Sequence, residues 1–407
     1  MRVLALGGAG EMGRVAARVL IGAATVTDLV VADIDGGRAA AVAQRLGTKA
    51  SSRQVDVTDQ TQLAAALSDC DIVVNTVGPF FRFGVPILAA AIDAGRDYVD
   101  ICDDPEPTLE MLALHGRART AGVTALIGMG ASPGVANLLA VIAARELDTV
   151  DSLITGWNVA DTAQPHTSPG PPSAAIAHGL RQISGTIPVT RDRQVVPRPA
   201  LEKIELDYPG IGRIAGRSFG HPEAVTLQHA FPELRDNTNI VVGDRFTLAV
   251  LSALRFGMDR GLSLNWAARL AAKAERMLPA KPADIITPGG PPPLFAVARG
   301  TRRGESAAAA TALAQIPGLT MSENTGVPVA VAALQLPSVR RPGVHPPESL
   351  LDPHQFFAAF APHCIGNPPT ATMTVTTRSW ATVQDNSESL SSAILTAFLA
   401  PRQPQCR

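Results

Sequence analysis

The chain has 407 residues, of which 46% are hydrophobic and 17% are charged, and its formal net charge is −1. This balance argues against a sequence-independent nucleic-acid binder, which needs a positive field to displace counterions. The hydrophobic fraction excludes a disordered chain, and at about 150 residues per domain the length predicts two domains.

The cysteines and the apolar segments predict the compartment. Cys70, Cys102, Cys364 and Cys406 are widely spaced and form no CxxC motif, which argues against a disulfide framework and a zinc site. No apolar run reaches the roughly 20 residues that a membrane helix needs, and the first strand runs directly into a glycine loop, which is not the pattern of a signal peptide. We therefore expect a soluble, cytoplasmic protein with no metal, no membrane contact and no nucleic-acid partner.

Apolar runs alternate with amphipathic helices through the first third of the chain. Strands separated by helices about ten residues long indicate parallel βαβ units. The strands are almost wholly apolar, as in a sheet that helices cover on both faces. The pattern predicts an α/β fold with a Rossmann-type doubly wound parallel sheet. Its strands are expected at residues 2–6, 28–32, 53–55, 71–74, 98–101 and 123–127, and its helices at 11–20, 38–46, 60–67, 85–94 and 107–121.

We expect a second, mixed α/β domain from residue 131, and the regular alternation of strands and helices ends at residue 150. Ser132 and Pro133 are expected to cap and open a helix that ends near residue 147. The segments that follow mix strand-like and helical patterns without an internal repeat. The predicted strands are 150–159, 194–206, 224–227, 295–300 and 320–322, and the predicted helices are 174–184, 246–256, 264–277, 306–316 and 327–336.

A glycine-rich loop joins the first predicted strand to the first predicted helix. The segment Gly8-Ala9-Gly10-Glu11-Met12-Gly13 has the form GxGxxG, which is typical of dinucleotide binding in this position. We expect Gly8 to permit the tight turn, Gly10 to let a pyrophosphate approach, and Gly13 to let the helix pack closely. The phosphates would lie at the helix N-terminus, where Glu11 and Met12 complete the loop. The alternative is a glycine-rich turn that binds no nucleotide.

Asp33 ends the second predicted strand, twenty residues after Gly13. A carboxylate in this position accepts hydrogen bonds from ribose hydroxyls and repels a 2′-phosphate. No arginine follows directly, because Ile34 and Asp35 come next. The sequence therefore favours NAD over NADP as the cofactor. In the alternative, Asp33 caps the second helix and Arg38 reaches a 2′-phosphate.

Polar residues follow the next two strands at the edge of the sheet where ligands bind. Asp56 and Val57 are expected to border the adenine, although an N-cap for the next helix explains Asp56 equally well. Asn75, Thr76 and Val77 end the fourth strand and are expected on the nicotinamide side of the cleft.

Five segments, GAGEMG (8–13), DYVDIC (97–102), GASPGVANLLA (130–140), TGVPVA (325–330) and GVHPPE (343–348), together resemble the saccharopine dehydrogenase (reductase) family. The resemblance implies hydride transfer between a nicotinamide and a carbon that bears nitrogen, and it implies a homodimer. It also implies an NAD-binding Rossmann domain at residues 1–130 and a substrate and dimerisation domain at 131–325. Residues 326–407 would return to pack on the first domain and end in a tail.

Two segments depart from the pattern of the saccharopine-forming members and bear on the identity of the substrate. Ser132 stands where many saccharopine-forming members carry Asp, so the chain is nearest in motif to lysine 6-dehydrogenase-type members. The segment Val77-Gly78-Pro79-Phe80, followed by Gly84, instead resembles the trans-acting enoyl reductase branch. We therefore expect an NAD-dependent oxidoreductase that acts on a CH–NH or C=N centre of a small amino acid or polyamine-like compound. A C=C or C=O reductase and a non-catalytic NAD-binding protein are the alternatives.

Amine oxidation needs a group that removes a proton, and a histidine or a carboxylate is suited to this. His221 and Glu223 lie in a segment that loosely resembles one lining the family's substrate cleft, and they are the main acid/base candidates. Asp100, after the fifth strand, either handles a proton or is structural. Weaker candidates are His178 as acid/base, and Arg82, Arg213 and Arg217 as binders of a substrate carboxylate.

Overall fold

The computed structural model describes residues 1–158, 179–277, 291–380 and 383–384. The chain forms two compact units, and each is built from an early and a late part of the sequence. The first unit comprises residues 1–135 and 317–363, and the second comprises 136–316 and 364–407. None of the described helices has the length and apolar character that crossing a bilayer requires.

The described part of the first unit contains a seven-stranded sheet in which every neighbouring pair is parallel. Its order is β15-β6-β5-β4-β1-β2-β3, so the strand order reverses beside β1 and the predicted doubly wound fold is confirmed. The strands are β1 (Arg2–Leu6), β2 (Asp28–Asp33), β3 (Ala50–Gln54), β4 (Ile72–Asn75), β5 (Asp97–Asp100), β6 (Thr124–Leu126) and β15 (Gly343–His345).

Helices flank this sheet and bury small apolar side chains against it. The helix α1 (Glu11–Gly22) buries Ala16, Ala17 and Leu20 and so presents a narrow apolar face. The predicted single helix at 107–121 is two shorter helices, α5 (Pro105–Ala113) and α6 (His115–Thr120). The other helices of this unit are α2 (Gly36–Leu46), α3 (Gln60–Leu67), α4 (Phe80–Asp93), α11 (Met321–Gln335), α12 (Pro347–Leu350) and α13 (Pro353–Phe360).

The described residues of the second unit form a ten-stranded sheet in the order β10-β11-β12-β7-β13-β14-β16-β17, with β8 pairing with both β12 and β9. The β12–β7 pair is parallel and the other pairs are antiparallel. The strands are β7 (Thr149–Asn158), β8 (Thr186–Arg191), β9 (Gln194–Pro199), β10 (Lys203–Tyr208), β11 (Gly212–Phe219), β12 (Asp236–Val242), β13 (Leu294–Arg302), β14 (Glu305–Leu313), β16 (Thr374–Trp380) and β17 (Val383–Gln384).

Two apolar clusters cover the two faces of this second sheet. One contains Tyr208, Ile240 and Phe295. The other contains Phe219 and Val241 together with side chains of α9 and α10. Ile240 and Val241 belong to different clusters because successive side chains of a strand point to opposite faces. The helices of this unit are α7 (Val135–Ala144), α8 (Glu223–Thr226), α9 (Arg245–Asp259) and α10 (Leu264–Met277).

Several segment predictions after residue 131 are wrong. Residues 306–316 were expected to be a helix, yet β14 occupies Glu305–Leu313 and lies between β13 and β16. Residues 224–227 are helical, residues 320–322 form the start of α11, and α7 begins at Val135 and not after Ser132. Of the predicted helix at 174–184, residues 174–178 with His178 lie outside the described residues.

Candidate functional site

The tight turn of the glycine loop begins at Gly7, which has a positive φ of 71°, and the Gly10 amide closes it on the Gly7 carbonyl at 2.9 Å. Gly8 lies inside this turn, as expected, and a Cβ on it would lie 2.8 Å from the Ala5 carbonyl oxygen. The Thr76 hydroxyl donates to the loop at the carbonyl oxygens of Leu6 (3.0 Å) and Gly7 (3.1 Å). Thr76, a predicted cofactor contact at the end of β4, thus holds the loop that follows β1.

The other glycines of the loop differ in what surrounds them. A Cβ on Gly13 would overlap the carbonyl oxygen of Gly7 and lie 2.8 Å from the Gly8 Cα, so α1 packs on the loop only through a glycine. A Cβ on Gly10 would meet, among the described atoms, only the Gly7 carbonyl oxygen, at 3.1 Å. No described side chain caps the α1 N-terminus at Gly10. The amide groups of the first turn, including Glu11 and Met12, are thus available to an anion.

Asp33 is attached to the same loop. Its carboxylate accepts the Ala9 amide at 3.2 Å through one oxygen and the Asp35 amide at 3.2 Å through the other. The N-cap of α2 is Asp35, which accepts the Arg38 amide at 2.9 Å, so the interpretation of Asp33 as the cap is wrong. The Arg38 guanidinium donates to the Ala9 carbonyl at 3.0 Å, which places a cation at the loop beside Asp33.

Asp56 and Val57 follow β3 at the same edge of the sheet. One Asp56 oxygen accepts the Thr58 hydroxyl at 2.7 Å and the Thr58 amide at 2.9 Å, and these bonds lower the pKa of Asp56. The N-cap of α3 is Asp59, so the N-cap interpretation of Asp56 is wrong. A contact of Asp56 and Val57 with adenine stays a prediction.

A buried chain of polar side chains crosses β4 and β5. Asn75 accepts the Val77 amide at 3.0 Å and donates to the Tyr98 hydroxyl oxygen at 2.8 Å, and Tyr98 donates to Asp100 at 2.9 Å. Asn75 and Asp100 are 0% exposed. The Asn75 side chain therefore shapes the turn that carries Thr76 and Val77 to the edge of the sheet.

Both carboxylate oxygens of Asp100 accept hydrogen bonds from neighbouring residues. Its second oxygen accepts the amides of Cys102 (3.0 Å) and Gly128 (2.7 Å), which begin the loops after β5 and β6. Burial raises the pKa of Asp100 to about 6 and the pKa of the Cys102 thiol well above its usual value. These contacts favour the structural alternative for Asp100, and Cys102 lacks the thiolate character that a nucleophile needs.

In the second unit, the structure brings His221 and Glu223 together. The His221 Nδ1 lies 3.9 Å from a Glu223 carboxylate oxygen, and their side chains are 8% and 0% exposed. The Asn239 amide group donates to the other Glu223 oxygen at 3.4 Å and to the Thr155 hydroxyl at 2.9 Å. A buried carboxylate is held in place when its neighbours donate to it, so this arrangement orients Glu223 toward His221.

Residues that the sequence analysis missed surround the pair. The His221 ring stacks on Trp157 with centroids 5.9 Å apart, and it meets the edge of Phe219 at 4.9 Å. Asn237 donates to the Glu223 carbonyl. The signal for both asparagines was in the sequence, because Asn237 and Asn239 share one face of a strand that is otherwise mostly apolar.

The arginines proposed for a substrate carboxylate differ in their surroundings. Arg82 is exposed, and its guanidinium lies 4.9 Å from the centre of the Phe83 ring. Arg213 forms ion pairs with Glu205 and Asp207, and Arg217 donates to the Leu201 carbonyl. Arg82 is therefore the candidate with the fewest competing partners among these three.

Comparison with known proteins identifies the first unit. A family profile described as the saccharopine dehydrogenase NADP binding domain matches residues 3–126. Carboxynorspermidine synthase of Vibrio cholerae is 26% identical over 215 residues, which cover 49% of this chain and 50% of that protein. The structure of saccharopine dehydrogenase (L-Glu forming) from Saccharomyces cerevisiae matches with a TM-score of 0.58 at 16% identity, covering 88% of this chain and 96% of that chain.

Residues 3–126 therefore match the NAD(P)-binding domain of saccharopine dehydrogenases, and this match confirms the predicted family resemblance for that part of the chain. A trans-acting enoyl reductase of Mycobacterium tuberculosis is also similar, with 29% identity over 102 residues that cover 24% of each protein. The chain thus matches about a quarter of this reductase and half of the synthase. The yeast structure supports the fold alone, because its sequence identity is 16%.

Proposed function

We propose that the protein is an NAD-dependent oxidoreductase that transfers a hydride to or from a CH–NH or C=N centre of an amino acid or polyamine-like substrate. The observation that carries this proposal is the buried His221–Glu223 pair, whose facing atoms lie 3.9 Å apart in a unit that does not contain the nucleotide loop. We propose that this pair acts as the acid/base couple. The similarity to a carboxynorspermidine synthase supports a nitrogen-bearing substrate.

The first unit supplies the contacts that the cofactor needs. The N-terminus of α1 would hold the pyrophosphate, since Gly10 leaves its side of the loop open, and Asp33 would accept the ribose hydroxyls. The bound nicotinamide supplies the carbon that accepts or donates the hydride. We favour NAD over NADP because Asp33 is fixed on the Ala9 amide. Arg38, which lies on the Ala9 carbonyl, is the residue that would weaken this preference.

The second unit would handle the proton. An amine must be neutral before it gives up a hydride, so an ammonium substrate needs a base. His221 would take this proton, and the adjacent Glu223 would stabilise the resulting imidazolium by charge. Asn239 and Thr155 would keep the carboxylate oriented toward the ring. In the reverse direction the same imidazolium would return the proton to the amine nitrogen.

The test is the reduction of NAD and NADP by the purified protein with amines, diamines and basic amino acids, paired with a reverse panel of carbonyl compounds and amines. For an accepted substrate, His221→Gln should lower kcat by about 10²- to 10⁴-fold, the usual contribution of general acid–base catalysis. Glu223→Gln removes the charge that would stabilise the imidazolium and should also lower kcat, with the KM for NAD unchanged in both variants. Glu305→Gln, an exposed carboxylate of the same unit, is the matched control. An unchanged kcat in Glu223→Gln would exclude the proposed role.

A reductase of C=C or C=O bonds is the second candidate. It is favoured by the similarity to trans-acting enoyl reductases and by the Val77-Gly78-Pro79-Phe80 segment at the end of β4. Oxidation of reduced cofactor by enoyl or carbonyl compounds, with no response to any amine or imine, would support it. Tight cofactor binding without any turnover would instead indicate a non-catalytic NAD-binding protein.

We also propose that the protein is a cytoplasmic homodimer with no nucleic-acid or membrane partner. This proposal rests on the family resemblance and on the large apolar second unit. Sedimentation of the purified chain at micromolar concentration tests it directly, because a species of one chain mass would contradict the dimer.

A further inference from the structure

A groove with a cavity volume of about 440 Å³ lies on the first unit between α1, α2 and the start of α11. This volume lies within the range of small-molecule sites, which is about 300–1,000 Å³. Neither Asp33 nor the glycines of the nucleotide loop line it. Its walls combine arginines, aliphatic side chains and hydroxyls, namely Arg14, Arg18, Arg45, Val15, Val42 and Leu46, with Thr320 and Ser322 at one end.

The groove carries an excess of positive charge. Within the described part of the chain, Arg14, Arg18 and Arg45 form no ion pair and donate no side-chain hydrogen bond. Two carboxylates also line the groove. Glu323 accepts the Thr320 amide at 3.1 Å and the Thr320 hydroxyl at 2.7 Å in a capping box, which fixes its carboxylate in place but leaves its negative charge. Three guanidinium groups and the carboxylates of Glu11 and Glu323 therefore give the groove a formal charge of +1.

The floor of the groove is apolar. Val15, Val42 and Leu46 are half-buried, and the latter two pack on the buried cluster of Val31, Ala39 and Ala43. Guanidinium groups form paired hydrogen bonds with carboxylates and phosphates. An apolar floor adds affinity for a hydrocarbon part of the same ligand. Cationic walls above an apolar floor thus match a small molecule that has an anionic group and a hydrocarbon body.

We propose that this arginine groove binds a small organic anion, a phosphate or carboxylate with an apolar body, at a site that shares only Glu11 with the nucleotide loop. The proposal does not depend on the proposed enzymatic activity, since it rests on the walls and floor of the groove alone. Arg14 and Arg18, four residues apart, lie on the same side of α1, and Arg45 contributes from the last turn of α2.

The experiment measures binding by isothermal titration calorimetry with the full chain in the presence of saturating ADP-ribose, which occupies the nucleotide loop. The probes are phenyl phosphate, benzoate, inorganic phosphate and uncharged benzyl alcohol. We expect phenyl phosphate or benzoate to bind more tightly than inorganic phosphate, and benzyl alcohol not to bind. Arg18→Gln should weaken the binding by about tenfold, the effect of losing one charge-assisted contact. Arg119→Gln, another exposed arginine of the first unit, should leave it unchanged.

Three results would overturn the proposal. The first is the absence of heat for phenyl phosphate and benzoate. The second is equal weakening by Arg18→Gln and Arg119→Gln, which would indicate a diffuse charge effect. The third is binding that appears only without ADP-ribose, which would assign the anion to the nucleotide loop. A protein that fails to bind ADP-ribose yet binds phenyl phosphate through Arg18 would refute the cofactor assignment and support the groove.

Discussion

Substitutions of the glycines at α1 should affect stability and nucleotide binding separately. Gly13→Ala should have the largest effect on stability. The new Cβ would overlap the Gly7 carbonyl oxygen and lie 2.8 Å from both the Gly8 Cα and the Thr76 Oγ1. Two of these neighbours are backbone atoms, which cannot move away by changing rotamer. Overpacking costs about 1–3 kcal/mol, so we expect a cost near the upper end, about 3 kcal/mol.

Helix propensity offsets part of this cost, because alanine is favoured over glycine in a helix by up to about 1 kcal/mol. The expected net loss in the free energy of unfolding is therefore about 2 kcal/mol. At about 2–4 °C per kcal/mol for a domain of this size, the Tm should fall by about 4–8 °C. Gly22→Ala, at the end of the same helix with no described atom within 4 Å of the new Cβ, is the control and should not lower the Tm.

Gly10→Ala should behave in the opposite way. Its Cβ would meet only the Gly7 carbonyl oxygen among described atoms, at 3.1 Å, so the Tm should stay close to that of the unmodified protein. The same Cβ would project where a pyrophosphate must approach, so NAD affinity should fall at least about tenfold. Thermal unfolding and NAD titration of the three variants test both expectations. A Gly13→Ala protein with the same Tm as the unmodified protein would refute the packing argument.

Three further predictions follow from the first unit. Asp33→Ala should weaken NAD binding by about tenfold or more, the contribution of a hydrogen bond to a charged group, and should weaken NADP binding less. Equal losses of affinity in titrations with the two nucleotides would contradict the preference for NAD. Burial raises the folded-state pKa of Asp100 from 3.8 to about 6, so its contribution to stability is full well below pH 3.8 and is lost as the pH rises through 6. Relative to Asp100→Asn, the unfolding free energy should fall by about 2 kcal/mol between pH 4 and 7, and parallel urea-denaturation profiles would contradict this. Gly326→Ala would place a Cβ 2.6 Å from the Met12 carbonyl oxygen and should cost about 1–3 kcal/mol in urea denaturation, whereas an unchanged midpoint would show that α11 can shift away from α1.

The first sheet was predictable because its signals are local. Most of its strands are short apolar runs bounded by turns, and its helices repeat apolar residues at helical spacing. The exceptions are β3, which is polar and exposed, and β15, which joins the sheet from residue 343 and was not predicted as a strand. The predicted strands coincide with β1, β2, β4 and β5 to within one residue at each end. Asp33 was also predictable as a partner of the loop, since the ends of neighbouring parallel strands meet at one edge.

The second sheet was less predictable because its partners are distant in sequence. The segment ESAAAATAL has high helix propensity, yet it forms β14 because β13 and β16 supply hydrogen bonds on both sides. Tertiary pairing of this kind overrides local propensity. The predicted helix at 327–336 begins six residues after the observed start of α11, which the capping box of Thr320 and Glu323 sets.

The candidate site shows the same limit. His221 and Glu223 were identified from a segment, but their shared orientation depends on Asn239 of β12 and Thr155 of β7, which register between two distant strands brings together. Gly7 was overlooked because the GxGxxG pattern begins one residue later, although Gly7 is the residue with the positive φ.

The most direct test of the central claim is the initial rate of NAD reduction by the purified protein across the amine and basic amino acid panel, followed by the near-ultraviolet absorbance of the reduced nicotinamide. The account predicts turnover with at least one amine, a lower rate with NADP, and loss of that turnover in Glu223→Gln but not in Glu305→Gln. The absence of turnover with every amine and imine, with NAD binding confirmed by titration, would contradict the account.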